Sequence, residues 1–194
     1  PAGLPPPRMR PEENKLGLKG SSTITIDFDD VEIPRDHVIG EFSKGLDLAH
    51  EALTWGRTFM AAGCLGSAHA AIAETRTHIA ERSQFGRTLD QFPLVREQMA
   101  AAVADVYAIE SVVRLVCDIY DRRAGDIALD STVAKVLASE KTWNVIDRGV
   151  QLMGGAGFIE ETGMPRRLRD VRVTRIFEGA NDVLRLHLAS ATLG

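Results

Sequence analysis

With 194 residues, 44% of them apolar and 26% charged, the chain can bury one substantial core, which excludes a disordered or fibrous protein. Its 23 basic and 27 acidic residues leave a net charge of -4, so no overall positive field draws it to nucleic acid or an anionic membrane. Cys64 and Cys117 stand outside any CxxC or metal-ligand spacing, and no run of about 18 consecutive apolar residues is present to span a bilayer. The start, PAGLPPPRMRPEEN, lacks the apolar core of a signal peptide, so the chain reads as soluble and intracellular.

In chain order, residues 1–14 hold five prolines and read as an extended linker. STITIDFDDVEIP follows, alternating Ile24, Ile26 and Phe28 with polar residues, which predicts one face of a strand ended by Pro34. The chain offers this strand no clear partner, so it reads as a satellite on a helical body or the cut end of a sheet. Residues 45–83 predict a first long helix, rich in Ala, with Leu53, Trp55, Phe59, Met60, Leu65 and Ile72 and with small residues that permit close helix approach. After QFGRTLDQF, Pro93 opens a second helix in which Val95, Met99, Val103, Val106, Ile109, Val113, Val116 and Tyr120 form a stripe. RRAGDIALD interrupts, Asp130 is positioned to cap a third helix, and Val133, Val136, Trp143, Ile146, Val150 and Met153 continue the period until Gly154 and Gly155 stop it. A basic segment, MPRRLRDVRVTR, leads to a last helix with Asn181 or Asp182 as its cap and Val183, Leu184, Leu186 and Leu188 as its apolar set. The expected fold is mainly α, an up-and-down helical bundle preceded by a short β segment.

Generic chemical motifs mostly fail. GAGFIE, residues 155–160, lacks the third glycine of a dinucleotide fingerprint and follows a helix rather than a strand. The five histidines, His37, His50, His69, His78 and His187, share no HxxxH or HExxH spacing, so no metal site is predicted. Ser67 in GCLGSAH misses the glycine spacing of a nucleophile elbow. RRLRDVR is interrupted by Asp170 and reads as a solvated helix face. What remains is Glu178 in RIFEGANDVLRLHLA, a lone carboxylate before a glycine at the mouth of a helix. Isolated carboxylates usually cap helices or face water, so on composition alone it carries no chemistry.

Four separated stretches change that reading: GRTFMAAG, ERSQFGRTL, QLMGGAGFIEE and RIFEGANDVLR. In order and spacing they resemble the acyl-CoA dehydrogenase family over residues 15–190, and RIFEG followed by NDVLR looks most similar to its very-long-chain branch. The resemblance divides the chain into the linker at 1–14, a remnant of the family's middle β-domain at 15–42 and its C-terminal helical domain at 43–194. It implies FAD-dependent α,β-dehydrogenation of an acyl-CoA thioester, in the bacterial cytoplasm or the mitochondrial matrix, with electron-transfer flavoprotein as acceptor. Glu178 in FEG matches the base that removes the α-proton, with Thr54, Arg57 and Gly179 on the substrate side. Some relatives carry the base immediately before that arginine, where this chain has Gly56. Without the resemblance, Arg57 reads as a member of an ordinary ion pair.

On the cofactor side the resemblance implies Arg82 facing the pyrophosphate with Gln84 and Phe85 beside it, and Gln151 and Gly155 on the adenine and pyrophosphate sides. Taken alone, these residues read as a turn and a helix C-cap. Several such contacts in the family reach the cofactor of a neighbouring subunit, so a homo-oligomer, dimer or tetramer, is expected through the helical domain. At Ala180 the family usually has threonine, which removes one polar contact and leaves Asn181 and Asp182 to carry recognition there. With the earlier strands and N-terminal helices of the family outside the chain, the expectation is half a site, FAD absent or weakly held, and one apolar face left for self-association. Two other readings stand beside this one: a non-catalytic helical oligomerisation or interaction module, and a flavin-dependent acyl-CoA oxidase on the same scaffold.

Overall fold

The computed structural model describes residues 7–193, so residues 1–6 of the proline-rich start lie outside the described residues. Three long helices form its body: α1 (Gly45–Glu81), α2 (Pro93–Asp121) and α3 (Ala128–Met153). Two shorter ones follow, α4 (Met164–Arg172) and α5 (Asn181–Leu193). A small antiparallel pair, β1 (Arg8–Met9) with β2 (Ile26–Asp27), precedes the helices, and a hairpin of β3 (Ser83–Gln84) and β4 (Arg87–Thr88) joins α1 to α2.

The helical ends follow from local chemistry. α1 stops at Glu81 because Arg82 turns extended, at φ -76° and ψ 120°, to enter the hairpin. Pro93 occupies the first turn of α2, where its missing N–H is no loss. α3 is not capped by Asp130, which lies inside its first turn; Oδ1 of Asp126 accepts from the Ala128 N–H at 2.9 Å instead. Nor do Asn181 and Asp182 cap α5. The Ala180 carbonyl accepts the bond from Leu184 N–H that opens the helix, at 2.9 Å, while Asn181 is buried and Asp182 pairs with Arg185.

α1 and α3 run parallel, with α2 antiparallel between them in sequence. Arg57 meets Thr132, the Thr142 hydroxyl donates to the Cys64 carbonyl at 3.1 Å, and Gly149 lies against Thr75. The contact is made by small residues, Ala61, Cys64, Ala68 and Ala71 on α1 and Ala134 and Ala138 on α3, all buried. The bulky residues singled out on α1 flank this seam; Phe59 is 68% exposed, and Leu65 and Ile72 are only partly buried. On α2 the predicted stripe is buried at Val106, Ile109, Val113 and Val116, but Val103 and Tyr120 face outward. On α3, Val133 is exposed, and the buried face carries Ser131, Thr132, Lys135, Ser139 and Thr142. Asp105 of α2 answers this polarity with ion pairs to Lys141 and Arg148 of α3, at 2.6 and 2.7 Å.

The strand predicted around Ile26 does have a partner, because the stretch read as linker supplies it: Arg8 pairs with Asp27 and Met9 with Ile26. Further along, the Arg10 N–H donates to the Thr25 carbonyl at 2.9 Å. Its apolar set is not a buried face, since Ile26 and Phe28 are exposed. This segment docks on α4 through Gly17, where an added Cβ would stand 2.6 Å from the Arg169 carbonyl group, and through the Leu18 N–H, which donates to Asp170 at 2.6 Å. Exposed large apolar residues are widespread among the described residues, including Phe42, Leu46, Tyr107, Phe158 and Leu186. Of the apolar set predicted on α5, Leu184 is buried and Leu188 half-buried.

Candidate active site

Glu178 lies in the turn between a short 3-10 segment, Val173–Arg175, and α5. Its φ of 56° is left-handed, and Gly179 follows at φ 101°. Two successive residues of this hand reverse the chain sharply, and the second must be small, because a Cβ at Gly179 would come 3.0 Å from the Leu184 side chain. A glutamate in this conformation is strained, as residues at functional sites often are.

The turn lays the Glu178 side chain against α1. A Cβ built on Gly56 would stand 2.8 Å from both carboxylate oxygens, so the glycine makes the room the carboxylate occupies. Position 56 is thus more than a place where another carboxylate happens to be absent: the two positions compete for one space. Oε2 of Glu178 is buried and has no hydrogen-bond partner among the described residues. Leaving a buried acceptor unsatisfied costs about 1–3 kcal/mol, and such a group is available to a proton that a ligand brings.

Arg57 stands beside Glu178 and grips its backbone. Its Nε donates to the Glu178 carbonyl and a terminal nitrogen donates to Thr132 Oγ1, both at 3.0 Å. Burial lowers its guanidinium pKa, and the Glu178 carboxylate opposes that shift. Thr54, one turn earlier on α1, is half-buried and donates to the His50 carbonyl at 3.1 Å. Lys135, which sequence reasoning missed, approaches from α3: it is 0% exposed and donates to the Gly179 carbonyl at 2.7 Å and to Asn181 Oδ1 at 2.6 Å. The signal for it was a polar stripe, Ser131, Lys135, Ser139 and Thr142, at helical spacing on α3. Asn181 therefore serves the inside of the turn, whereas Ala180 and Asp182 are exposed.

The candidate cofactor residues divide between the two ends of the bundle. Ala180, Asn181 and Asp182 sit with Glu178. Arg82, Gln84 and Phe85 sit at the far end of α1, with Gln151 and Gly155 at the matching end of α3. At about 1.5 Å per residue, Gly56 and Arg82 are separated by roughly 40 Å along α1. Phe85 is 92% exposed at φ 53° and is followed by Gly86 at φ 83°, which makes the hairpin tip tight and left-handed. The Gln84 side chain folds back onto the Ser83 carbonyl, at 2.8 Å. Gly155 has open space where a Cβ would be, whereas at Gly157 a Cβ would meet the Val150 carbonyl oxygen at 2.5 Å. No cluster of histidine, cysteine and carboxylate groups suited to a metal occurs among the described residues, and none of their helices is long and apolar enough to cross a membrane.

If the space at Gly56 holds the carboxylate in place, Gly56→Ala will push it aside at little structural cost, because the obstructing atoms are the end of a flexible side chain. We expect an unchanged unfolding midpoint, with any reaction that uses this carboxylate slowed about tenfold or more. Calorimetry and steady-state kinetics on one preparation check both.

Fold and site together define a helical-bundle domain in which a carboxylate-bearing turn from the C-terminal end is laid on the first long helix. The chain belongs to the acyl-CoA dehydrogenase family: the model of that family's C-terminal domain matches residues 43–193. Very long-chain specific acyl-CoA dehydrogenase from human mitochondria is 40% identical over 179 residues, 92% of this chain and 27% of the relative. The solved structure of butyryl-CoA dehydrogenase from Megasphaera elsdenii aligns over 100% of this chain and 50% of its own, with TM-score 0.92 at 31% identity. An acyl-CoA dehydrogenase from Bacillus anthracis, solved in complex with FAD, aligns over 96% of this chain and 35% of its own, with TM-score 0.91 at 33% identity. The chain thus spans between about a quarter and a half of the length of these relatives.

Proposed function

We infer that the chain carries the base-bearing part of a flavin-dependent enzyme that introduces a double bond beside an acyl-CoA thioester. One observation supports this most: the unpartnered, buried oxygen of Glu178, presented by a strained turn in a space that Gly56 keeps open. The reaction requires a base for the α-proton, and one carboxylate suffices. A bound FAD would supply the acceptor for the β-hydrogen, which leaves as hydride. Glu178 takes the proton at its free oxygen, while the Arg57 guanidinium holds the turn by the Glu178 carbonyl. Thr54 and Gly179 border the space where the acyl thioester would lie.

The far-end residues fit a cofactor held between subunits. An exposed phenylalanine in left-handed conformation and a glycine whose missing side chain the chain itself does not need both suit contact with a group outside the chain. Arg82, Gln84, Phe85, Gln151 and Gly155 would address the adenosine and pyrophosphate of FAD, and Ala180, Asn181 and Asp182 would lie nearer Glu178. With roughly 40 Å between the two groups on one chain, the reading pairs one chain's Glu178 with another chain's far end, in a homo-oligomer built through the helical domain. Electron-transfer flavoprotein is the acceptor this reading implies.

Anaerobic mixing of the flavin-loaded, full-length enzyme with an acyl-CoA tests it. We expect the visible flavin spectrum to bleach with formation of the 2-enoyl-CoA. A spectrum that no acyl-CoA alters would leave the helical interaction module as the reading, and many turnovers of acyl-CoA with oxygen as the sole acceptor, each releasing one peroxide, would make the enzyme an oxidase.

A further inference from the structure

A lysine enters a protein interior only where acceptors meet its ammonium. Lys135 has two, and both belong to the turn that carries Glu178: the Gly179 carbonyl at 2.7 Å and Asn181 Oδ1 at 2.6 Å. Asn181, itself buried, passes the connection back to α3 by donating to Ser139 Oγ at 2.9 Å and Glu140 Oε1 at 2.8 Å. From the other side, Arg57 Nε holds the Glu178 carbonyl at 3.0 Å. Two successive carbonyls of a left-handed turn are therefore each gripped by a cation, one from α1 and one from α3. This fixes the two peptide planes that flank Gly179: the first, held by Arg57, borders the Glu178 Cα and helps set the direction in which its side chain leaves the backbone, and the second, held by Lys135, anchors the turn behind it. Burial, reinforced by Arg57, pushes the Lys135 ammonium down to about 8, so a charge is kept here at a cost that an apolar residue filling the same space would avoid.

We propose that Lys135 is a positioning residue for the base: its ammonium locks the Glu178–Gly179 turn so that the Glu178 carboxylate is held beside Gly56. The assignment rests on the reading of Glu178 as the base. It predicts that Lys135→Met in the flavin-loaded, full-length enzyme lowers kcat about 100-fold, the scale of a misplacement near 1 Å, with KM little changed. The kinetic isotope effect of α-deuterated acyl-CoA on kcat should rise, because proton abstraction becomes the slow step. Hydrogen exchange followed by mass spectrometry should quicken about tenfold over residues 176–184 and stay unchanged in α1 and α2. Lys135→Gln, which keeps two N–H donors for the same oxygens, should recover part of the rate and of the protection.

A kcat for Lys135→Met close to that of the parent would overturn the proposal. So would faster exchange spread evenly through α1, α2 and α3, or failure of both variants to fold, either of which makes Lys135 a residue of the core alone. Glu178→Gln measured in parallel separates the two readings. If that variant turns over normally the base lies elsewhere, while exchange over 176–184 still decides whether Lys135 holds the turn.

Discussion

Glu178→Gln is expected to reduce turnover of the full-length enzyme by about 10²–10⁴-fold, the usual contribution of a positioned general base. The amide has nearly the volume and shape of the carboxylate, so it fits the space that Gly56 leaves, but it cannot accept the α-proton. Because the carboxylate oxygen it replaces is buried without a partner, the substitution should hold the unfolding midpoint or raise it. Flavin content should also stay the same, since Arg57 and Lys135 grip the turn by its backbone and need nothing of the side chain at 178. Stopped-flow flavin reduction, absorbance ratios and calorimetry on one preparation check all three. Near-normal reduction would place the base elsewhere.

Gly157→Ala and Gly155→Ala, two residues apart in one short turn, are expected to have opposite effects. At Gly157 a Cβ would sit 2.5 Å from the Val150 carbonyl oxygen and 2.8 Å from its Cα, both backbone atoms that can yield only if α3 moves. Overpacking of this kind costs about 1–3 kcal/mol or more, and the unfolding midpoint should fall by about 5–10 °C. At Gly155 a Cβ meets nothing within 4 Å, so stability should change by less than about 0.5 kcal/mol. If Gly155 faces the pyrophosphate of a flavin shared between subunits, its alanine variant should still lose flavin on gel filtration, and Gly157→Ala should retain flavin in whatever fraction stays folded. Full flavin retention by Gly155→Ala would remove that residue from the cofactor site.

Much of the helical layout was legible because helix formation is a local matter. The three-and-four spacing of Val106, Ile109, Val113 and Val116, Pro93 at a first turn and the glycines at 154 and 155 each act within a few residues, and α1, α2 and α3 lie within a few residues of where those signals put them. Caps were read less well. Asp130 and Asp126 both stand near the start of α3, and which of them reaches an open N–H depends on where the first turn closes. Burial was read least well on α1 and α3. Hydrophobicity marks Phe59 and Val133 as core, yet α1 and α3 approach through alanine, serine and threonine, which leaves the larger side chains at the margins.

By itself, the sequence determined the helical class, the family through four separated stretches, and Glu178 before a glycine as the candidate base. These rest on residue type and short-range order. Only the tertiary structure decided that Gly56 and Glu178 share one space, that Arg57 and Lys135 hold the turn by its carbonyls, and that the candidate flavin residues stand at opposite ends of one bundle. The physical reason is that each of these facts joins residues far apart in the chain. Which pairs meet is set by the parallel packing of α1 on α3 and by the left-handed turn at 178 and 179, and no local period or propensity records either.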